Sequence, residues 1–203
     1  MILKKKLLTL CVLSGLAACG SSKNDDKEED KQIENPAVET TIDGRAIKGV
    51  LANAPVKVFK YVDGEPVELT SDELKDASIT TDENGNYSFT VLDYNGPIKV
   101  VSMVSSDSAS PTTMLCDAPA GCNGVAFGGS VNLTTNDPNF SLSAVSNVTS
   151  GTPVKVNVSA LTHLATALVE SQDTVSAETV QTQMSIVANT FGIQGNITEL
   201  EPT

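Results

Sequence analysis

Hydrophobic and polar positions along this chain fall into four successive regimes. Lys4, Lys5 and Lys6 precede a short apolar run from Leu7 to about Leu16. From Ser21 to about Thr41 nearly every position is polar, with seven acids and three lysines. From Ile42 short alternating segments separated by turn residues read as β-strands. From Ser159 the apolar residues recur with the period of a helix.

In the third regime, Arg45 to Leu51 and Val56 to Tyr61 read as the first two strands, joined through Ala52-Asn53-Ala54-Pro55. Asp63-Gly64 is a turn, and Ser71 to Asp76 is one helical turn or a polar loop. Ser78 to Thr81 and Tyr87 to Leu92 flank Asp82-Glu83-Asn84-Gly85-Asn86, a hairpin connection because Asn84-Gly85 tolerates positive φ. Ile98 to Val104 is apolar enough for a central strand. Val125 to Leu133, Phe140 to Val145 and Val154 to Val158 complete or extend the sheets. In the fourth regime Leu161, Leu164, Ala165, Leu168 and Val169 fall on one helical face, with Asn157 or Ser159 as N-cap. A second helix starts near Ser176, carries Val180, Met184, Val187, Ala188 and Phe191 on one stripe, and stops at Gly192. The pair is expected to pack as a hairpin.

A basic start, a greasy run and the small residues Ala17-Ala18 before Cys19 make a secretory signal. The run is about half the roughly 20 apolar residues that a transmembrane helix needs. Leu16-Ala17-Ala18-Cys19 resembles the lipobox of bacterial lipoproteins. That resemblance implies lipidation of Cys19, removal of residues 1–18 and acylation of the freed amine, with Cys11 lost in the signal. Each buried methylene contributes about 0.8 kcal/mol, so three acyl chains anchor a protein almost permanently. Gly20 in place of Asp favours, by the same resemblance, the outer membrane, with the body periplasmic or surface-exposed. The segment 19–41 then reads as a lipidated cysteine and a disordered acidic tether, too polar to offset the entropy of folding. A coil of about 20 residues spans on the order of 25 Å. An acidic patch collecting divalent cations is the alternative use of this segment.

Gly44 to Phe59, with Gly49, Ala54, Val56 and Val58, and then Thr80-Thr81-Asp82-Glu83-Asn84-Gly85-Asn86-Tyr87-Ser88-Phe89, resemble the carboxypeptidase regulatory-like, transthyretin-like domain. The resemblance covers roughly residues 42 to 105. It implies a Greek-key-type, prealbumin-like β-sandwich of about seven strands without an active site. The expected fold is therefore mainly β: a sandwich over 42–158 followed by a C-terminal α-helical hairpin over 159–203. The insert between Val62 and Ser78 departs from the family pattern.

Asp82, Asn84 and Asn86 alternate as calcium ligands do, but Asp93 stands where an EF-hand places its bidentate glutamate, and the plain turn is the preferred reading. Cys116 and Cys122 lie six positions apart around Pro119 and Gly121, which outside the cytoplasm predicts a structural disulfide. A redox pair or metal site is the alternative. His163, the only histidine, reads as a helix-surface residue rather than a general base. Asn132, Asn147 and Asn157 head Asn-x-Ser/Thr sequons that reflect composition rather than glycosylation.

Composition narrows the function. The net charge is −12, and removing Lys4, Lys5 and Lys6 with the signal takes it to −15, which repels nucleic acid. Arg45 is the only arginine, Trp is absent and aromatics are 4%, so bidentate anion clamps and base-stacking platforms are lacking. No catalytic residue, metal ligand or cofactor is assigned. The expectation is a membrane-anchored envelope lipoprotein, non-catalytic, whose module binds a glycan, a matrix component or a protein, or displays a partner. Two alternatives stand beside it: an accessory N-terminal module of a larger surface hydrolase, and a structural periplasmic protein. The first draws on Leu161-Thr162-His163-Leu164-Ala165 and Phe191-Gly192-Ile193, which resemble a helical segment inside larger bacterial surface proteins.

Overall fold

A computed structural model describes residues 36–200; the signal segment, Cys19 and residues 20–35 lie outside the described residues. In chain order the strands are β1 (Glu39–Ile47), β2 (Leu51–Ala52), β3 (Pro55–Val62), β4 (Glu65–Glu68), β5 (Ile79–Thr80), β6 (Asn86–Leu92), β7 (Gly96–Met103), β8 (Thr113–Leu115), β9 (Ser130–Asn132), β10 (Ser141–Val148), β11 (Val154–Lys155) and β12 (Val158–Ser159). The helices are α1 (Leu133–Asn136), α2 (Ala160–Glu170) and α3 (Ala177–Thr190). The described body is thus mainly β, with three sheets and a few helices.

Strand β1 alternates as a half-buried strand should: Thr40, Ile42 and Ala46 face inward while Glu39, Thr41 and Asp43 face water. It pairs antiparallel with β6, from Glu39 opposite Leu92 to Arg45 opposite Asn86, and parallel with β11 and β12. Glu39 to Thr41, read from composition as tether, are therefore strand. Thr40 is fully buried, and its hydroxyl accepts the Gly151 N–H at 2.7 Å, which is why a polar residue serves on the inner face.

The second sheet runs β10–β7–β3–β4 with antiparallel neighbours, and β5 pairs the start of β3. Central β7 buries Ile98 and Val100, as its apolar run predicts. Ile42, Ala46, Phe89 and Val91 of the first sheet join Val56, Val58, Ile98 and Ala144 of the second in one hydrophobic core. The third sheet, β2–β8–β9, adds Leu51 and Val131 to that core.

Several expected strands break where the chain changes sheet. The stretch Arg45 to Leu51 divides at Gly49, whose φ is +59° and where a Cβ would meet the Leu115 carbonyl oxygen at 1.8 Å. The Asp82–Asn86 turn forms, but its flanking strands are not a hairpin: β5 pairs β3 and β6 pairs β1. The insert after Val62 supplies β4 as a hairpin partner of β3. Of Val125 to Leu133 only Ser130–Asn132 is a strand, and α1 follows with Asn132 as its N-cap.

Strand β10 is buried on both faces. Leu142, Ala144 and Val148 enter the first core, while Val145 enters a second with Ala165, Val169, Val180, Met184, Val187, Ala188 and Ile197. Helices α2 and α3 lie against this outer face and each other. Ser159 caps α2, exchanging bonds with Thr162 in a reciprocal capping box, and Ser176 caps α3. Of the face expected on α2, Ala165 and Val169 are buried and Leu161 and Leu168 pack partly against the core, but Leu164 is 42% exposed and the face turns to include buried Thr162 and Thr166. Thr162 donates to the Ser143 carbonyl and Thr166 to the Thr162 carbonyl, so two hydroxyls sit inside with their hydrogen bonds made. Phe191, expected on the α3 stripe, is instead its C-cap and 56% exposed.

Candidate functional site

The residues singled out by the sequence do not converge. Cys19, the lipidation candidate, is outside the described residues. Cys116 and Cys122 are bonded, with Cα atoms 5.6 Å apart, as their spacing predicts. The bridge braces a loop beside the third sheet, where the Cys116 N–H donates to the Gly129 carbonyl at 2.8 Å and Cys122 exchanges bonds with Val125. Asp82 uses its carboxylate on its own turn, accepting from the Asn84 and Asn86 N–H groups and from Asn86 Nδ2. Those hydrogen bonds, the Asn86 side chain first, hold its pKa below the ordinary aspartate value. Among the described residues no group of three or more His, Cys, Asp or Glu is placed to hold a metal ion.

His163 is exposed on α2, and its Nδ1 lies 2.9 Å from the hydroxyl of buried Ser143 on β10. No acid hydrogen-bonds the ring among the described residues, so the pair ties helix to sheet without the third member that orients a catalytic base. Nearby, Glu170 Oε1 accepts from Lys99 Nζ at 2.6 Å and from the Tyr61 hydroxyl at 3.1 Å. Burial, then the Glu170 charge, pushes the Tyr61 phenol well above its ordinary value. This cluster fastens the end of α2 to β3 and β7.

Beyond α3 the chain returns to the first sheet, and Asn157 holds it there. Its Oδ1 accepts the Arg45 N–H at 2.9 Å, its Nδ2 donates to the Leu200 carbonyl at 2.8 Å, and its own N–H donates to the Thr198 carbonyl at 2.7 Å. The returning segment, 193–198, packs Ile197 into the core with α3, and residues of this segment, α3 and β10 line a cleft of about 730 Å³. Its walls include Val145, Val180, Met184, Ala188 and Ile197; its rim carries Gln181, Asn189 and Gln194. The apolar stripe of α3 packs as its spacing predicts, with Val180, Met184, Val187 and Ala188 buried, and the cleft beside it is a further feature that the sequence analysis does not name. The signal was present: Gln181, Ser185 and Asn189 recur every fourth position beside that stripe, and Glu178 is the only charge in α3.

No family model matches the chain, and no curated protein matches it. The crystal structure of a DUF3823 family protein from Parabacteroides merdae ATCC 43184 is similar over 61% of this chain and 47% of that chain, at 13% identity and a TM-score of 0.26. The aligned part thus spans about half the length of that structure. A likeness at this level sets neither fold nor activity. Among the described residues no helix is long and apolar enough to cross a membrane.

Proposed function

We propose that this chain is a cell-envelope lipoprotein, anchored in the outer membrane through Cys19, whose folded body is a non-catalytic binding or adhesion module. The observation that carries the reading is Leu16-Ala17-Ala18-Cys19, set between a basic–apolar start and an acidic segment. The bonded pair Cys116–Cys122 supports it, because such bonds persist in oxidising compartments outside the cytoplasm. The body is read as a Greek-key, prealbumin-like sandwich of the carboxypeptidase regulatory-like kind. Support comes from the core shared by the two larger sheets and from the turn at Asp82–Asn86 that leads from one to the other.

The test is metabolic labelling with a clickable fatty acid, followed by intact mass of the protein extracted from its native membrane. Wild type is expected to carry label and to have lost residues 1–18, with three acyl chains on Cys19 at its new N-terminus. Cys19→Ser is expected to lose label and membrane retention together; label that survives the substitution sinks the proposal. A much larger native mass favours the second reading, an accessory module of a longer surface hydrolase, which rests on the resemblance around Leu161–Ala165 and Phe191–Ile193.

A further inference from the structure

Three asparagines in this chain precede a glycine: Asn84, Asn95 and Asn123. In such a pair the asparagine side-chain amide is open to attack by the main-chain nitrogen that follows it, because glycine has no Cβ to hinder the approach. The three differ in how the fold holds the attacking N–H.

At Asn84 it is held on every side. The Gly85 N–H donates to the Asp82 carbonyl at 3.0 Å, and the Asn84 carbonyl accepts from Arg45 Nε at 2.7 Å. Gly85 is buried, and a Cβ there would lie 2.8 Å from the Ala46 carbonyl oxygen. At Asn95 the glycine already belongs to a sheet, since Gly96 opens β7 in register with Val148 of β10. Asn123 stands apart. Cys122 and Val125 exchange main-chain hydrogen bonds of 2.8 and 2.9 Å. Between them Asn123 and Gly124 have φ of +49° and +83°, a two-residue turn of the kind that Asn-Gly favours. Both residues are exposed, and no atom beyond the chain neighbours lies within 4 Å of a Cβ built on Gly124. Among the described residues nothing accepts from the Gly124 N–H and nothing donates to the Asn123 carbonyl.

We propose that Asn123 is a site of spontaneous covalent modification, selected by the fold over Asn84 and Asn95, at which the side-chain amide is converted to aspartate and isoaspartate. The Gly124 nitrogen gives up its proton to hydroxide and bonds to Asn123 Cγ; the Cγ–Nδ2 bond breaks, and Nδ2 leaves as ammonia. Water then opens the five-membered imide at either of its two carbonyls. One opening yields aspartate, and the other routes the main chain through the side chain as isoaspartate. The balance is one water consumed and one ammonia released, so the reaction needs no enzyme and no cofactor.

The modification removes a contact. Asn123 Nδ2 donates to Asn136 Oδ1 at 3.0 Å, which ties the disulfide-bonded loop to α1. Asn136 is not free to turn its own amide toward the product, because its Nδ2 already donates to the Asn132 carbonyl at 2.7 Å. A carboxylate at position 123 therefore faces an acceptor, and the tie is lost. It is also a second negative charge in a stretch, Ser108 to Asn136, where Asp117 is the only charged side chain.

The test incubates the full chain in detergent in mildly alkaline heavy-oxygen water and maps its peptides by mass spectrometry with electron-transfer fragmentation, which separates isoaspartate from aspartate. Asn123 is expected to gain about 3 Da, of which about 1 Da is the change from amide to acid and about 2 Da the heavy oxygen. The gain should appear in both product forms, and at least about tenfold faster than at Asn84 or Asn95, where a hydrogen bond or a sheet must open first. In urea, with the Cys116–Cys122 bond reduced, the three sites are expected to react at similar rates, because the fold no longer distinguishes them. Asn123→Gln, whose longer side chain would have to close a six-membered ring, is expected to lose the modification and to leave Asn84 and Asn95 as they were. Far-ultraviolet circular dichroism checks that this variant folds, and the wild-type time course decides the matter if it does not. No heavy oxygen at Asn123, a gain at Asn84 or Asn95 as fast as at Asn123 in the folded chain, or an equal preference for Asn123 in urea overturns the proposal.

Discussion

Asn157 interrupts the strand that runs along β1, and its side chain replaces what the interruption removes. The main chain pairs with β1 at Val154–Lys155 and again at Val158–Ser159; between them Asn157 Oδ1 takes the Arg45 N–H that a carbonyl would have taken. The neighbouring Val156 carbonyl turns instead toward Gly44 and the Tyr87 hydroxyl, and a Cβ at Gly44 would lie 2.0 Å from that oxygen. Asn157 is fully buried, so Asn157→Ala strands the Arg45 N–H and the Leu200 carbonyl. The expected cost is about 2–4 kcal/mol, read as a lower urea midpoint with unchanged slope. A change below about 0.5 kcal/mol would mean that solvent reaches these groups. The same burial fixes how the tyrosines titrate. Burial, with the Glu73 charge second, pushes Tyr94 up to about 12 from an ordinary 10.0, and burial drives Tyr61 and Tyr87 higher still. A phenol raised in the fold contributes stability that is complete below pH 10.0 and is lost as pH climbs through its folded value. With three tyrosines and no Trp, the phenolate absorbance band reports on these groups alone. Native protein should show almost no phenolate at pH 11, where denatured protein is largely ionised; an ordinary titration in the native state refutes the burial described for all three.

At the scale of elements, α2 separates what periodicity reveals from what it conceals. Both helices, their serine caps and their ends are legible in the sequence, because capping and period are local properties. The buried face is legible only in part. Ala165 and Val169 are buried and Leu161 and Leu168 pack partly beside them, but β10 offers the Ser143 carbonyl to Thr162, which turns the face toward Thr162 and Thr166 and leaves Leu164 outside. Val169→Ala is therefore expected to cost about 2 kcal/mol, Ser159→Ala about 1 kcal/mol, and Leu164→Ala less than about 0.5 kcal/mol. Thermal melts of the three variants order them; a Leu164→Ala loss as large as that of Val169→Ala refutes the packing described. The sheets divide in the same way. β3, β6 and β7 alternate visibly, and the Asp82–Asn86 turn is explicit in Asn84-Gly85. The partners of each strand were not legible, since nothing local tells β5 to join β3 while β6 joins β1. Nor was Thr40, whose burial depends on a bond to Gly151 more than a hundred positions away. The cleft failed to show for a related reason: it is made by the return of 193–198 past α3, a path set by Asn157 and not by any motif in the segment itself.

For the whole molecule, the charge balance decides how stability responds to solution. At neutral pH the net charge is −12 and the isoelectric point about 4.4, so the folded state concentrates like charges that the unfolded chain spreads apart. The pairs Lys57–Glu68 and Lys75–Glu39 are exposed and contribute little against that excess. Raising salt at pH 7 from about 20 mM to about 0.3 M shortens the screening length from roughly 20 Å to roughly 6 Å. That should raise the melting temperature by a few degrees, on the order of 1 kcal/mol. Acidification acts in two opposed ways. Down to about pH 5 it reduces the excess and stabilises. Below that, two carboxylates held under their ordinary values become costly: Glu73 by its hydrogen bond to Lys60, and Asp82 by Asn86. A depressed carboxylate contributes stability above its unfolded value, 4.5 for Glu73 and 3.8 for Asp82, and loses it as pH falls through the folded one. Melting temperature against pH should therefore peak near pH 5, and the salt increment seen at pH 7 should be smaller at the peak. Melts by circular dichroism at about four pH values and two salt concentrations decide it. A salt increment at pH 5 equal to that at pH 7 would assign the effect to ion exclusion from apolar surface rather than to the acidic excess.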